Sequence, residues 1–182
     1  LVSCGIFREC VASFDLGAAD LEDLFEENAT QIDLSHRNIT SILPRAFERF
    51  ARLEELTLTG NKLRSLDSSS FSGLDHLRAL RLDYNRLVVL DANVFVELPA
   101  LETLSLAHNE LTQVDPDVFN GLDKLVSLRL DNNRLTEMAD NTFKVYNNTC
   151  AAMCIIYSYY KFTVGNIKEV SKLVDLNLSH NR

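Results

Sequence analysis

No stretch of this 182-residue chain strings together the roughly 18 apolar residues that a bilayer-spanning helix needs, and the nearest approach, Cys150 to Tyr160, is far too short. Basic residues are scarce: 18 Lys and Arg stand against 26 Asp and Glu, giving a net charge of −8. No block of Lys or Arg forms a stripe for a phosphate backbone, so nucleic acid and polyanionic sugars are not expected as partners. With three prolines and no Pro-rich or Ser-rich run, nothing marks a linker, and one continuous body is expected. A phosphate-binding Gly loop, a nucleophile elbow and a metal-spaced cysteine cluster are all missing. Neither an enzyme nor a metal or cofactor site is expected.

What is present is a repeat of 24 residues. The pattern LxxLxLxxNxLxxLxxxxFxxL runs from Leu53 as LEELTLTGNKLRSLDSSSFSGL, from Leu77 as LRALRLDYNRLVVLDANVFVEL, and from Leu101 as LETLSLAHNELTQVDPDVFNGL. From Leu125 it continues as LVSLRLDNNRLTEMADNTF. Leu56 and Leu58 flank Thr57 because a strand turns successive side chains to opposite faces, leucines inward and threonine outward. Asn61, Asn85, Asn109 and Asn133 recur where the chain leaves the strand, and a buried amide there can both donate to and accept from the backbone of adjacent coils. Phe71, Phe95, Phe119 and Phe143 hold one equivalent position each and are expected to stack into an aromatic spine. No coil buries its apolar side alone, so the coils must stack.

Counting back from Leu53 places a unit at Ala29, with Ile32, Leu34, Ile39, Ile42, Phe47 and Phe50 inward and Arg37 in the asparagine slot. Residues 1–28 match no repeat and are read as an N-terminal cap, pinned by a Cys4–Cys10 disulfide or else carrying free or intermolecular thiols. Residues 29–182 are read as repeats, with units starting near 29, 53, 77, 101, 125, 149 and 173. The unit at 149 is degenerate: a further step of 24 returns to LVDLNLSHN in register at Leu173, so the segment between is expected to be one whole coil and not an insertion. The chain starts without Met and stops in mid-repeat at Arg182, as a piece of a longer protein would.

Function is expected on the outward strand positions, which packing leaves free. Arg81, Asp83, Tyr84, Ser105, Arg129 and Asp131 supply the aromatic and charged groups that carry interface energy. The alternative is that Arg81 with Asp83, and Arg129 with Asp131, form self-satisfied surface pairs. A second candidate patch is Met153, Ile155, Ile156, Tyr157 and Tyr160, an apolar and aromatic cluster for a partner or for self-association; a segment folded back on itself would hide it instead. Cys150 and Cys154 lie about 13 Å apart along an extended strand, beyond the roughly 7 Å limit of a disulfide. Either they pair and break the strand, or the strand is intact, Cys154 replaces a leucine and Cys150 is open to another cysteine; the second reading is adopted. His36, His108 and His180 share one offset three coils apart, about 14 Å from one another, too far to share a metal.

Asn28, Asn38 and Asn147 begin glycosylation sequons, as does Asn177, whose mid-strand place argues against its use. Together with Cys4 and Cys10 they favour an oxidising, extracellular setting, secreted or as an ectodomain. The 24-residue form with Phe at the back resembles the extracellular leucine-rich repeat family, which includes Toll-like receptor ectodomains and secreted insect immune proteins. The cap sequence CGIFREC departs from the four-cysteine cap usual in vertebrate members. The resemblance implies an α/β solenoid, a horseshoe with parallel β-strands on its concave face and a mostly loop or 3-10 convex side. It also implies a glycoprotein that binds another protein or an extracellular ligand, with innate immunity as the leading context. A structural or adhesion matrix protein that self-associates through residues 151–160 is the alternative.

Overall fold

The computed structural model describes residues 13–115, 117–136, 175–177 and 179–180. The elements in chain order are β1 (Phe14–Leu16), α1 (Ala18–Glu22), β2 (Gln31–Asp33), β3 (Ile39–Ile42), β4 (Glu55–Thr57), β5 (Ala79–Arg81), β6 (Thr103–Ser105), β7 (Ser127–Arg129) and β8 (Asp175–Asn177). Six of them form one parallel sheet in the order β2-β4-β5-β6-β7-β8. From β2 to β7 each strand pairs with the one 24 residues on, Ile32 with Leu56, Leu56 with Leu80, Leu80 with Leu104 and Leu104 with Leu128. The chain is a parallel-strand solenoid.

The leucine alternation explains the strands. Leu56, Leu58, Leu80, Leu82, Leu104 and Leu106 are fully buried while Thr57 between the first pair is half-buried and Arg81 is exposed. Each buried leucine contributes about 2 kcal/mol of transfer free energy, and stacking is what removes it from water. Behind the strands the chain returns through turns closed by bonds from residue i to i+3, the 3-10 pattern, such as Phe50 N–H to Phe47 O at 2.9 Å and Leu98 N–H to Phe95 O at 3.0 Å. Along this side Phe47 stacks on Phe71 with centroids 6.5 Å apart, and Phe71 on Phe95 at 6.2 Å. Phe119 packs against the same core, and Phe143 lies outside the described residues. Gly73 is required where the backbones of adjacent coils approach: its φ is +86°, and a Cβ there would lie 3.0 Å from Glu48 Cα.

The asparagines form the expected ladder. The Asn85 amide donates to Leu58 O and Leu82 O, both at 3.0 Å, and its oxygen accepts Leu63 N–H at 3.1 Å. Asn109 repeats this with Leu82 O, Leu106 O and Leu87 N–H, and Asn133 with Leu106 O, Leu130 O and Leu111 N–H. Asn61 reaches back to the displaced slot, accepting from both Arg37 N–H and Ile39 N–H.

At the N-terminal end, β1 runs parallel to β3 on the opposite edge of the first coil. There Asp15 accepts hydrogen bonds from the hydroxyls of Thr40 and Ser41 at 3.0 and 2.6 Å. The short α1 is started by the Asp20 carboxylate accepting Gly17 N–H at 2.8 Å, and it buries Leu21. Phe25 meets Phe50 edge to face, joining this region to the core.

The other end departs from expectation. β7 pairs directly with β8, Leu128 with Leu176, and Asn132 N–H donates to Ser179 O at 2.8 Å. The step across this pair is 48 residues where every earlier pair steps 24. The coil expected at 149–172 lies outside the described residues. Arg129 and Asn177 are themselves partners in the ladder.

Candidate interaction site on the concave sheet

The outward positions of the strands build the site. Thr57, Arg81 and Ser105 sit side by side on β4, β5 and β6, with Arg129 next on β7. Two residues beyond each of the last three, Asp83 and Asp131 are almost fully buried and Ala107 lies between them. The expected Arg–Asp pairs divide. Arg129 grips Asp131 with two bonds, Nε to Oδ1 and Nη2 to Oδ2, both 3.2 Å. Arg81 does not hold Asp83; the Ser105 hydroxyl from the next coil donates to the Asp83 carboxylate instead. Arg81 is exposed, and its side chain makes no hydrogen bond or ion pair among the described residues.

The rim of this face is set by backbone conformation. His36, Gly60, Tyr84, His108, Asn132 and His180 all take left-handed φ, between 55 and 72°. Just after each strand, the N–H of this residue bonds to the next coil, as Tyr84 N–H does to Ala107 O and His108 N–H to Asp131 O. The turn out of the sheet needs this conformation, which Gly and Asn adopt readily and aromatic residues do not. At its centre the Tyr84 ring lies flat on the His108 imidazole, centroids 4.1 Å apart and planes 9° from parallel. The Asn132 amide lies 3.3 Å from His108 Nε2 and donates to Asp131 at 2.9 Å. Tyr84, His108, Asn132, Asp131 and Arg129 are thus one connected row across three coils, and Tyr84 at its end is 57% exposed.

Of the six expected contact residues, Arg81, Tyr84 and Arg129 are exposed, Tyr84 on the rim, whereas Asp83, Ser105 and Asp131, expected on positions that packing leaves free, are buried. His108 and Asn132 are additions. The sequence did carry a signal for them: Gly60 and Asn132 share an offset with Tyr84 and His108, and those two residue types mark a left-handed turn. His108 and His180 are two strands apart and not three, because β7 adjoins β8.

Met153, Ile155, Ile156, Tyr157 and Tyr160 lie outside the described residues, as do Cys4, Cys10, Cys150, Cys154 and Asn147. Asn28 is exposed, and Asn38 is half-buried with φ of 61°. Among the described residues no helix is long and apolar enough to cross a membrane.

Two matches to the leucine rich repeat family model, over residues 27–87 and 75–135, cover more than half of the chain. The chain belongs to the leucine-rich repeat family. This leucine-rich repeat chain is similar to solved structures of immune and developmental proteins. It is 30% identical to a chain of the TLR13–ssRNA13 complex, with a TM-score of 0.62 over 82% of this chain and 18% of that one. A chain of the LRIM1/APL1C complex is also 30% identical, with a TM-score of 0.63 over 69% of this chain and 23% of that one. The Drosophila Toll–Spätzle complex matches in fold, with a TM-score of 0.74 and 20% identity over 91% of this chain and 22% of that one. The chain therefore spans less than a quarter of each of these proteins. No curated protein sequence matched it.

Proposed function

We propose that this chain is an extracellular or ectodomain recognition module that binds a partner protein across its concave sheet, with innate immunity as its context. The observation that carries the reading is the row from Tyr84 to Arg129, which links an exposed aromatic ring on the rim to an exposed guanidinium on β7, both interface-type groups. The family membership and the similarity to structures of Toll, TLR13 and LRIM1 with APL1C support it. Catalysis has no support in the site. One of those structures holds RNA, so the expectation that excluded nucleic acid gains nothing from the comparisons. What favours a polypeptide is charge: Asp33 and Glu55 are exposed on the same face, and they repel a phosphate backbone.

The test is a cross-linking experiment with the secreted fraction of the source tissue, comparing the parent chain with Thr103→Trp on the concave sheet and Asp91→Arg on the convex side. Loss of a specific adduct in Thr103→Trp alone is the expected outcome. Equal adducts in all three would remove the concave face from the reading. The matrix alternative is separated by size: a monomer at high concentration would end it.

A further inference from the structure

We propose that Arg81 is the anchor of the concave face and takes a carboxylate side chain, Asp or Glu, from the bound polypeptide, with Tyr84 lying against the same segment. This rests on the concave face being the binding face and adds the chemistry of what it binds.

Two cations stand on the described concave strand positions, Arg81 and Arg129. Arg129 is already forked onto Asp131. Arg81 has no such partner among the described residues, although a carboxylate sits two residues away, because Ser105 holds Asp83 in the sheet. Its lateral neighbours in the ladder are Thr57 and Ser105, neither of them charged. An unneutralised guanidinium is thus held at the centre of the sheet, and its planar fork matches a carboxylate with two parallel bonds.

Tyr84 points to the same place independently. It occupies a left-handed position where Gly60 and Asn132 stand in other coils, a conformation that disfavours an aromatic residue, and its ring is more exposed than buried. The stack on His108 fixes that ring before any partner arrives, so little side-chain freedom is lost on contact. The surrounding charge selects the ligand. Asp33 is two coils from Arg81, about 10 Å at the spacing of parallel strands, and Glu55 is one coil away. A single carboxylate fits the gap they leave. A run of phosphates would collide with both acids.

The experiment pans a displayed library of random peptides against the immobilised full chain and measures the affinities of the enriched peptides. Enrichment of Asp- or Glu-bearing peptides is expected, with Arg81→Gln weakening them about tenfold or more, a loss of about 1.4 kcal/mol. Arg81→Glu is expected to lose them and, on renewed panning, to select Lys- or Arg-bearing peptides. Arg52→Glu, away from the sheet, is expected to change nothing. Because the Arg81 side chain is exposed and makes no bond among the described residues, these variants fold, which circular dichroism checks. Peptides that are lost in Thr103→Trp but indifferent to Arg81→Gln would overturn the anchor and leave the concave reading standing. Peptides indifferent to both would overturn the two together. No enrichment, or no acidic preference, would overturn the anchor. Mixed-sequence single-stranded RNA bound more tightly than the peptides, and lost in Arg81→Gln, would replace the carboxylate with phosphate.

Discussion

Asn85 uses its buried side-chain amide on four backbone groups from two coils, accepting from Leu63 N–H and donating to Leu58 O, Leu82 O and Asp83 O. Replacement by Ala leaves Leu63 N–H without its partner, at about 1–3 kcal/mol for a buried group left unsatisfied, while Leu58 O and Leu82 O each keep one donor, the amides of Asn61 and Asn109. Asn85→Ala is expected to lower the urea-unfolding free energy by about 1–3 kcal/mol; a loss under about 0.5 kcal/mol would mean that the ladder is dispensable. Acid acts on other single residues. The Ser41 hydroxyl, followed by that of Thr40, holds the Asp15 carboxyl below its ordinary value of 3.8, and the Ser69 and Ser35 hydroxyls do the same for Asp67 and Asp33. A lowered folded value means that the unfolded chain takes up the proton first as pH falls. These carboxylates therefore support the fold fully above 3.8 and lose that support as pH drops through their folded values. The thermal midpoint of Asp15→Asn is expected to decline less steeply than that of the parent below pH 4; an identical acid limb would remove Asp15 from the account. At this scale the sequence showed Arg81 and Tyr84 through residue type and offset. It could not show that Arg129 would find Asp131 while Arg81 would lose Asp83, because Ser105, 22 residues on, decides it.

Among the elements, β2, β4, β5, β6 and β7 were legible because inward aliphatic residues two apart, repeated at 24, fix both the face and the neighbour. β1 was not legible, since a single pairing along a coil edge leaves no periodic trace. β8 was legible as a strand but not in its partner: register modulo 24 is equally satisfied by a neighbour one step or two steps away, and hydrogen bonding chose two. The pairing predicts a deletion. A variant lacking residues 149–172 retains a multiple of 24 between Leu128 and Leu176 and is expected to keep the β7–β8 pairing, with a thermal midpoint within about 4 °C of the parent, a shift that corresponds to less than about 1 kcal/mol. Collapse of the fold, or loss of backbone protection at 127–129, would show that the deleted stretch holds the two strands together.

For the whole molecule, stability is close to a sum over neighbouring coils, as contacts join each coil only to the next. The inner strands β4, β5 and β6 are bonded on both sides, whereas β8 has one partner in the described sheet. Native-state hydrogen exchange is expected to be slowest at Leu58, Leu82 and Leu106 and several-fold faster at 175–177. Uniform protection from end to end would contradict a one-dimensional assembly. The solenoid itself was legible at this scale, since composition and period admit no other way of covering so many leucines.

The doubled step at β7 and β8 uncouples contour length from axial rise. Alignment of the side-chain rows depends only on a whole number of periods, so their spacing and phase carry across this joint with two periods between the strands as they do elsewhere with one.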